Sequence, residues 1–149
     1  MTNLFIEGFH LKSKDGVQVD IPINAKVTII TGFSATGKTK MINFLSDILN
    51  THQIAECNVQ KDDIVVIKDM QSFKILLNAK DIHDKVIFID KFDLTDFSKS
   101  IPFLEKSHNY FIICAHRRLR KCGWEADSIL EMIHDGLKYA PQVIKKQVI

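Results

Sequence analysis

Apolar and polar residues alternate in two short stretches at the start of the chain, Leu4 to Leu11 and Val17 to Ile23, with Lys12-Ser13-Lys14-Asp15-Gly16 between them. Alternation with period two gives a strand one apolar face, and an Asp-Gly pair favours a tight reversal, so this opening predicts an antiparallel β-hairpin. The next segment, Val27-Thr28-Ile29-Ile30-Thr31, is β-branched and shows no polar alternation. That is the pattern of a strand buried on both faces. From Lys40 to Leu49 the apolar positions Met41, Ile42, Phe44, Leu45, Ile48 and Leu49 recur at helical spacing and form one broad stripe.

The all-apolar pattern returns at Ile64-Val65-Val66-Ile67, at Val86-Ile87-Phe88-Ile89 and at Tyr110-Phe111-Ile112-Ile113-Cys114. Helices are predicted between these strands, over Met70 to Leu77 and Thr95 to Lys106. Strands alternating with helices predict an α/β fold with a largely parallel sheet flanked by helices on both faces. Near the C-terminus, Ser128 to His134 and Leu137-Lys138-Tyr139 flank Asp135-Gly136, which predicts a second hairpin. A helix over Glu125 to Leu137 competes with it, because Ile129, Met132 and Ile133 also fit the helical period.

Length and composition add a few bounds. The chain has 149 residues, 46% of them apolar, which is one domain's worth of core, so residues 1–149 are read as a single domain. Lys plus Arg number 20 and Asp plus Glu 18, and a net charge of +2 does not indicate a nucleic-acid partner. Cys57, Cys114 and Cys122 match neither a disulfide framework nor a paired zinc pattern. No apolar run approaches the roughly 18 residues of a membrane span. Together these features predict a cytoplasmic protein with no membrane span.

The chemistry is concentrated in Gly32-Phe33-Ser34-Ala35-Thr36-Gly37-Lys38-Thr39, which satisfies G-x-x-x-x-G-K-[ST] between a predicted strand and a predicted helix. Glycines at both ends let the backbone close around phosphates, and the helix N-terminus directs its amides at negative charge. Lys38 is expected to reach the β- and γ-phosphates and the Thr39 hydroxyl to ligate Mg²⁺, with Lys40 counted among the phosphate-side residues. Asp90 ends the Val86 to Ile89 strand, on the side where open parallel sheets bind ligands, and is the candidate to hold Mg²⁺ through water. His116 lies just past the Tyr110 to Cys114 strand and is a candidate donor to a γ-phosphate. Arg117, Arg118 and Arg120 follow it, as a solvated turn or as further phosphate contacts.

With these residues placed, the chain resembles the nucleotide-binding core of ABC-type ATPases, a branch of the P-loop NTPases. The resemblance rests on the opening hairpin, Gly32 to Thr39, Val86 to Asp90, the His116 strand and the closing hairpin around Asp135-Gly136. It implies phosphate binding by Gly32 to Thr39, magnesium binding by Thr39 and Asp90, a γ-phosphate contact from His116, and Gln71 as the match to a glutamine that senses magnesium and the attacking water. It also implies an aromatic platform for adenine, for which Phe9 or His10 stands suitably upstream, Phe9 being equally suited to the core.

The chain departs from that family in three places. Asp90 is followed by Lys91-Phe92-Asp93, not by the glutamate that polarises water. Too little chain separates Gln71 from Asp90 to house the helical subdomain, and no serine-glycine-glycine signature occurs in the sequence. The expected function is therefore a Mg-ATP-binding protein that is a weak ATPase or a nucleotide-dependent switch, with Asp93 or Asp96 replacing the missing base, or a homodimer mate or protein partner completing the site. The alternatives are a nucleotide-binding module without turnover and a small-molecule kinase whose arginines close over the transferred group.

Overall fold

In the computed structural model the β-branched run after Lys26 forms β3, Val27–Thr31, whose first four residues are buried. The structure describes residues 6–31, 37–77, 82–90, 107–114 and 129–143. Three further apolar runs form β5 (Ile64–Ile67), β6 (Val86–Ile89) and β7 (Tyr110–Cys114). With β8 (Ile129–Glu131) and β11 (Gln142–Val143) they build a six-stranded sheet in the order β11-β8-β3-β7-β6-β5. Five of these strands run parallel and β11 is antiparallel to β8. The Thr95 to Lys106 helix expected from the sequence falls outside the described residues.

The alternating segments at the start of the chain form β1 (Gly8–Ser13) and β2 (Gln18–Pro22), paired antiparallel across Gly16, whose φ of 90° is open to glycine at little cost. They belong to a second, five-stranded sheet in the order β4-β1-β2-β10-β9, with β4 at Ile54–Cys57, β9 at His134–Asp135 and β10 at Lys138–Tyr139. Asn58 extends the β1 edge: its Oδ1 accepts from the His10 amide at 2.8 Å and its Nδ2 donates to the Gly8 carbonyl at 2.7 Å.

The expected P-loop NTPase fold, a largely parallel sheet flanked by helices, is corrected by this second sheet. Among the described residues the chain has eleven strands against two α-helices, α1 (Lys38–Thr51) and α2 (Met70–Leu77). The physical reason lies in the hairpin itself. Phe9, Leu11, Val19 and Ile21 are almost wholly buried, and they pack in one cluster with Met41, Ile42, Leu45 and Ile48 of α1 and with Ile30, Phe88 and Ile112 of the six-stranded sheet. A sheet face thus does the covering that helices were expected to do. Phe9 and Phe88 meet edge to face at 5.0 Å across this core. On the other face of the parallel sheet, Phe73 of α2 packs with Ile29, Ile67, Ile87, Ile89 and Ile113.

Buried polar groups in the joints are satisfied. Asn109 accepts from the Lys85 amide at 2.9 Å and donates to the Ile82 carbonyl at 3.1 Å and the Ser107 hydroxyl at 2.6 Å, which ties the starts of β6 and β7 together.

Candidate functional site

The start of α1 is built on Gly37, the helix cap, which has φ 107° and ψ 1° and no side-chain capping bond. Its carbonyl accepts the Met41 amide at 2.8 Å, so the helical ladder begins at this residue. A side chain here would be excluded twice. The torsion is one that L residues rarely adopt, and an added Cβ would lie 3.1 Å from the Cβ of His134 and 3.3 Å from its Cγ and Nδ1. No acidic residue occupies the first turn of α1.

Lys38, the first helical residue, is only 4% exposed. It lies in the field of Cys114, at the end of β7, and of Asp90, immediately after β6. Asp90 is 5% exposed, and its amide donates to the Ile67 carbonyl of β5 at 2.9 Å, which continues the parallel ladder one residue past the strand. Burial lowers the affinity of the Lys38 ammonium for its proton, while Cys114 and Asp90 pull it back up. Burial, with Asp90 adding to it, pushes the Cys114 thiol far above the usual cysteine range, against a smaller opposing pull from Lys38. Thr39 is half-buried and Lys40 exposed.

The structure thus brings together Gly37, Lys38, Thr39 and Asp90 at the C-terminal edge of the parallel strands. Gly32, Phe33, Ser34, Ala35 and Thr36 lie outside the described residues, as do Lys91, Asp93, Asp96, His116, Arg117, Arg118 and Arg120. Gln71 sits exposed in the first turn of α2. Just before it, Asp69 accepts from the Ser72 amide at 2.7 Å and the Ser72 hydroxyl at 3.0 Å, bonds that hold its carboxyl below the usual range.

Of the two roles open to Phe9 the structure gives it the core one: it is fully buried and meets Phe88 edge to face. His10 projects from the outer face of β1 and its Nδ1 bonds Asp20 at 2.8 Å.

Two residues at the site carried no signal in the reading of the motifs. His134 reaches Gly37 from the closing hairpin, and Tyr139 stacks on His134 with ring centroids 4.2 Å apart and planes 7° from parallel. The pairing of β9 with β10 sets Tyr139 opposite His134, and the pairing of β8 with β3 carries the segment to the start of α1.

Among the described residues no three His, Cys, Asp or Glu side chains group as metal ligands. Mg²⁺ keeps much of its water and takes one or two protein oxygens beside those of phosphates, which a Thr39 hydroxyl and an Asp90 carboxylate can supply. No family model matches the chain, and no curated protein matches it. Among the described residues no helix is long and apolar enough to cross a membrane.

Proposed function

We propose that the chain binds the triphosphate of ATP together with Mg²⁺, and acts as a weak ATPase or nucleotide-dependent switch. In this reading Gly32 to Thr39 enclose the phosphates, Lys38 and Lys40 supply cationic charge, and Thr39 and Asp90 hold the magnesium. The observation that carries the reading is a buried lysine, next to a buried aspartate, one residue after a left-handed glycine that opens a helix free of first-turn acids. Burial disfavours the charged form of Lys38, and an arriving polyanion adds a further charge-assisted contact that favours it. The magnesium supplies neutralisation of phosphate charge when bound.

Slow turnover, or none, follows from the sequence after β6, where Lys91 stands in place of a water-polarising carboxylate. Asp93 is the residue proposed to replace it, with His116 contacting the γ-phosphate and Gln71 the magnesium side. A second copy or a protein partner would complete the site. Reduced cysteines suit the cytoplasmic setting this implies; Cys57 and Cys114 are free thiols.

Calorimetric titration of Mg-ATP into the parent and Lys38→Ala tests the reading. The parent is expected to bind and the variant to lose about 3 kcal/mol or more, the worth of charge-assisted bonds to two phosphates at roughly 1.5–3 kcal/mol each. Equal affinity in a folded Lys38→Ala protein refutes it. Phosphate release measured alongside separates the switch from the ATPase.

A further inference from the structure

The segment that leads into the closing hairpin touches both ends of the phosphate loop. At the near end, the Met132 amide donates to the Thr31 carbonyl at 2.9 Å, and the Thr31 hydroxyl donates to the Leu130 carbonyl at 3.3 Å. At the far end, His134 packs beside Gly37, where an added Cβ would lie 3.1 Å from the His134 Cβ and 3.3 Å from its Cγ and Nδ1. Residues 130–134 therefore span the loop's two anchor points, Thr31 and Gly37.

The His134 ring is itself fixed from two directions. Its Nε2–H donates to the Gly136 carbonyl at 2.9 Å within the hairpin turn. One ring face stacks on Tyr139, which is 5% exposed and stacks in turn on Phe44 of α1, at 6.3 Å and 22°. The hairpin is closed by the Ala140 amide on the Ile133 carbonyl at 2.8 Å, and β10 is anchored to β2 through the Tyr139–Val19 pair. A ring held in this way is a fixed wall. What it walls is the one backbone position whose torsion sets the direction of the first amides of α1 and of Lys38.

We propose that His134 is a positioning residue: its ring, locked by Tyr139, holds Gly37 in the left-handed form and so presets the start of α1 for a triphosphate. The inference rests on the phosphate-binding reading for its ligand, and on the His134–Gly37 contact alone for its geometry. It assigns the closing hairpin a task in nucleotide affinity, through packing and not through contact with the base.

The experiment uses the full chain as parent, His134→Ala and His134→Phe, with two probes, Mg-ATP and Mg-tripolyphosphate, which has no base. Amide exchange at Met41, the first bond of the α1 ladder, is followed without ligand. With the wall removed, Met41 is expected to exchange faster in His134→Ala, and both probes to bind more weakly by the same factor, on the order of tenfold. His134→Phe keeps the ring and is expected to return all three measurements to near the parent's. Unchanged exchange and affinity in His134→Ala overturn the proposal, as does a His134→Phe protein no better than His134→Ala. Loss of ATP binding with tripolyphosphate binding intact also overturns it, because the ring would then be contacting the base. A parent that binds neither probe sinks the phosphate reading, while the Met41 exchange still decides for or against the wall.

Discussion

Replacing Gly37 by alanine is the sharpest test of how the start of α1 is held. Two costs can be read from the structure. The residue has φ 107°, where a non-glycine side chain costs roughly 1–3 kcal/mol. Its Cβ would also sit 3.1 Å from the Cβ of His134, an overpacked contact costing about 1 kcal/mol once the neighbour has given way. Against these stands a gain of about 0.4–1 kcal/mol, because alanine has fewer conformations to lose from the unfolded chain. The net is a loss of about 2 kcal/mol, which for a domain of this size lowers the thermal midpoint by roughly 4–8 °C.

The two costs are separable, because the nearest atom is the Cβ of His134 and not the ring tip. Gly37→Ala combined with His134→Ala removes the ring atoms at 3.3 Å but keeps the Cβ at 3.1 Å and recovers part of the steric cost, whereas Gly37→Ala with His134→Gly removes both. Urea unfolding of the parent, the single variants and the two double variants measures the coupling directly. A Gly37→Ala protein as stable as the parent would mean that the helix cap is not left-handed. Equal recovery by His134→Ala and His134→Gly would mean that the ring, not the Cβ, makes the contact.

Asp90→Asn keeps the shape of the group beside Lys38 but removes its charge, and the Mg²⁺ dependence of ATP binding is expected to flatten; an unchanged dependence in titrations with and without magnesium limits Asp90 to a structural part. Phe88→Ala empties the point where β6 meets Phe9, and a loss of about 3–5 kcal/mol in urea unfolding is expected. Because burial has lowered the Lys38 pKa in the free protein while a triphosphate favours the ammonium form, binding takes up a proton above the lowered value. ATP affinity is therefore expected to fall as the pH climbs through the window below the ordinary lysine value, and Lys38→Arg, which stays charged, to remain flat across the same titrations.

The central strands were legible because each is a short β-branched run with no polar position, a pattern that fits little besides a strand covered on both faces. The stripe of Met41, Ile42, Leu45 and Ile48 marked α1 in the same way, and all four are buried. The phosphate motif marked Gly37, Lys38 and Thr39 from their types alone. What escaped was the rest of the hairpin's sheet. Alternation says that one side of β1 and β2 is buried but not which strands lie along their edges, and those strands are β4, which reads Ile-Ala-Glu-Cys, and the two-residue strands β9 and β10. Pairings that short have no period to read. The contact that closes the second sheet, β10 beside β2, joins residues separated by nearly the whole chain.

The contest between helix and hairpin near the C-terminus shows how a residue packed against the start of α1 can hide in an ambiguous pattern. Ile129, Met132 and Ile133 fit a helix, yet in the structure Leu130 and Met132 are buried while Glu131 and Ile133 are exposed, which is period two. The deciding force is the parallel pairing of β8 with β3 through Ile29–Ile129, Ile30–Leu130 and Thr31–Glu131, which fills the ladder on that side of β3. Gly136, with φ 56°, then reverses the chain between the paired Asp135 and Lys138, one residue later than an Asp-Gly turn would place it. A helix over the same residues would leave that side of β3 without a ladder and carry His134 away from Gly37. The strand pairing and the packing of His134 beside Gly37 thus go together, and on the proposed reading any change that lets residues 129–137 coil into a helix is expected to weaken phosphate binding even though it alters no residue of Gly32 to Thr39.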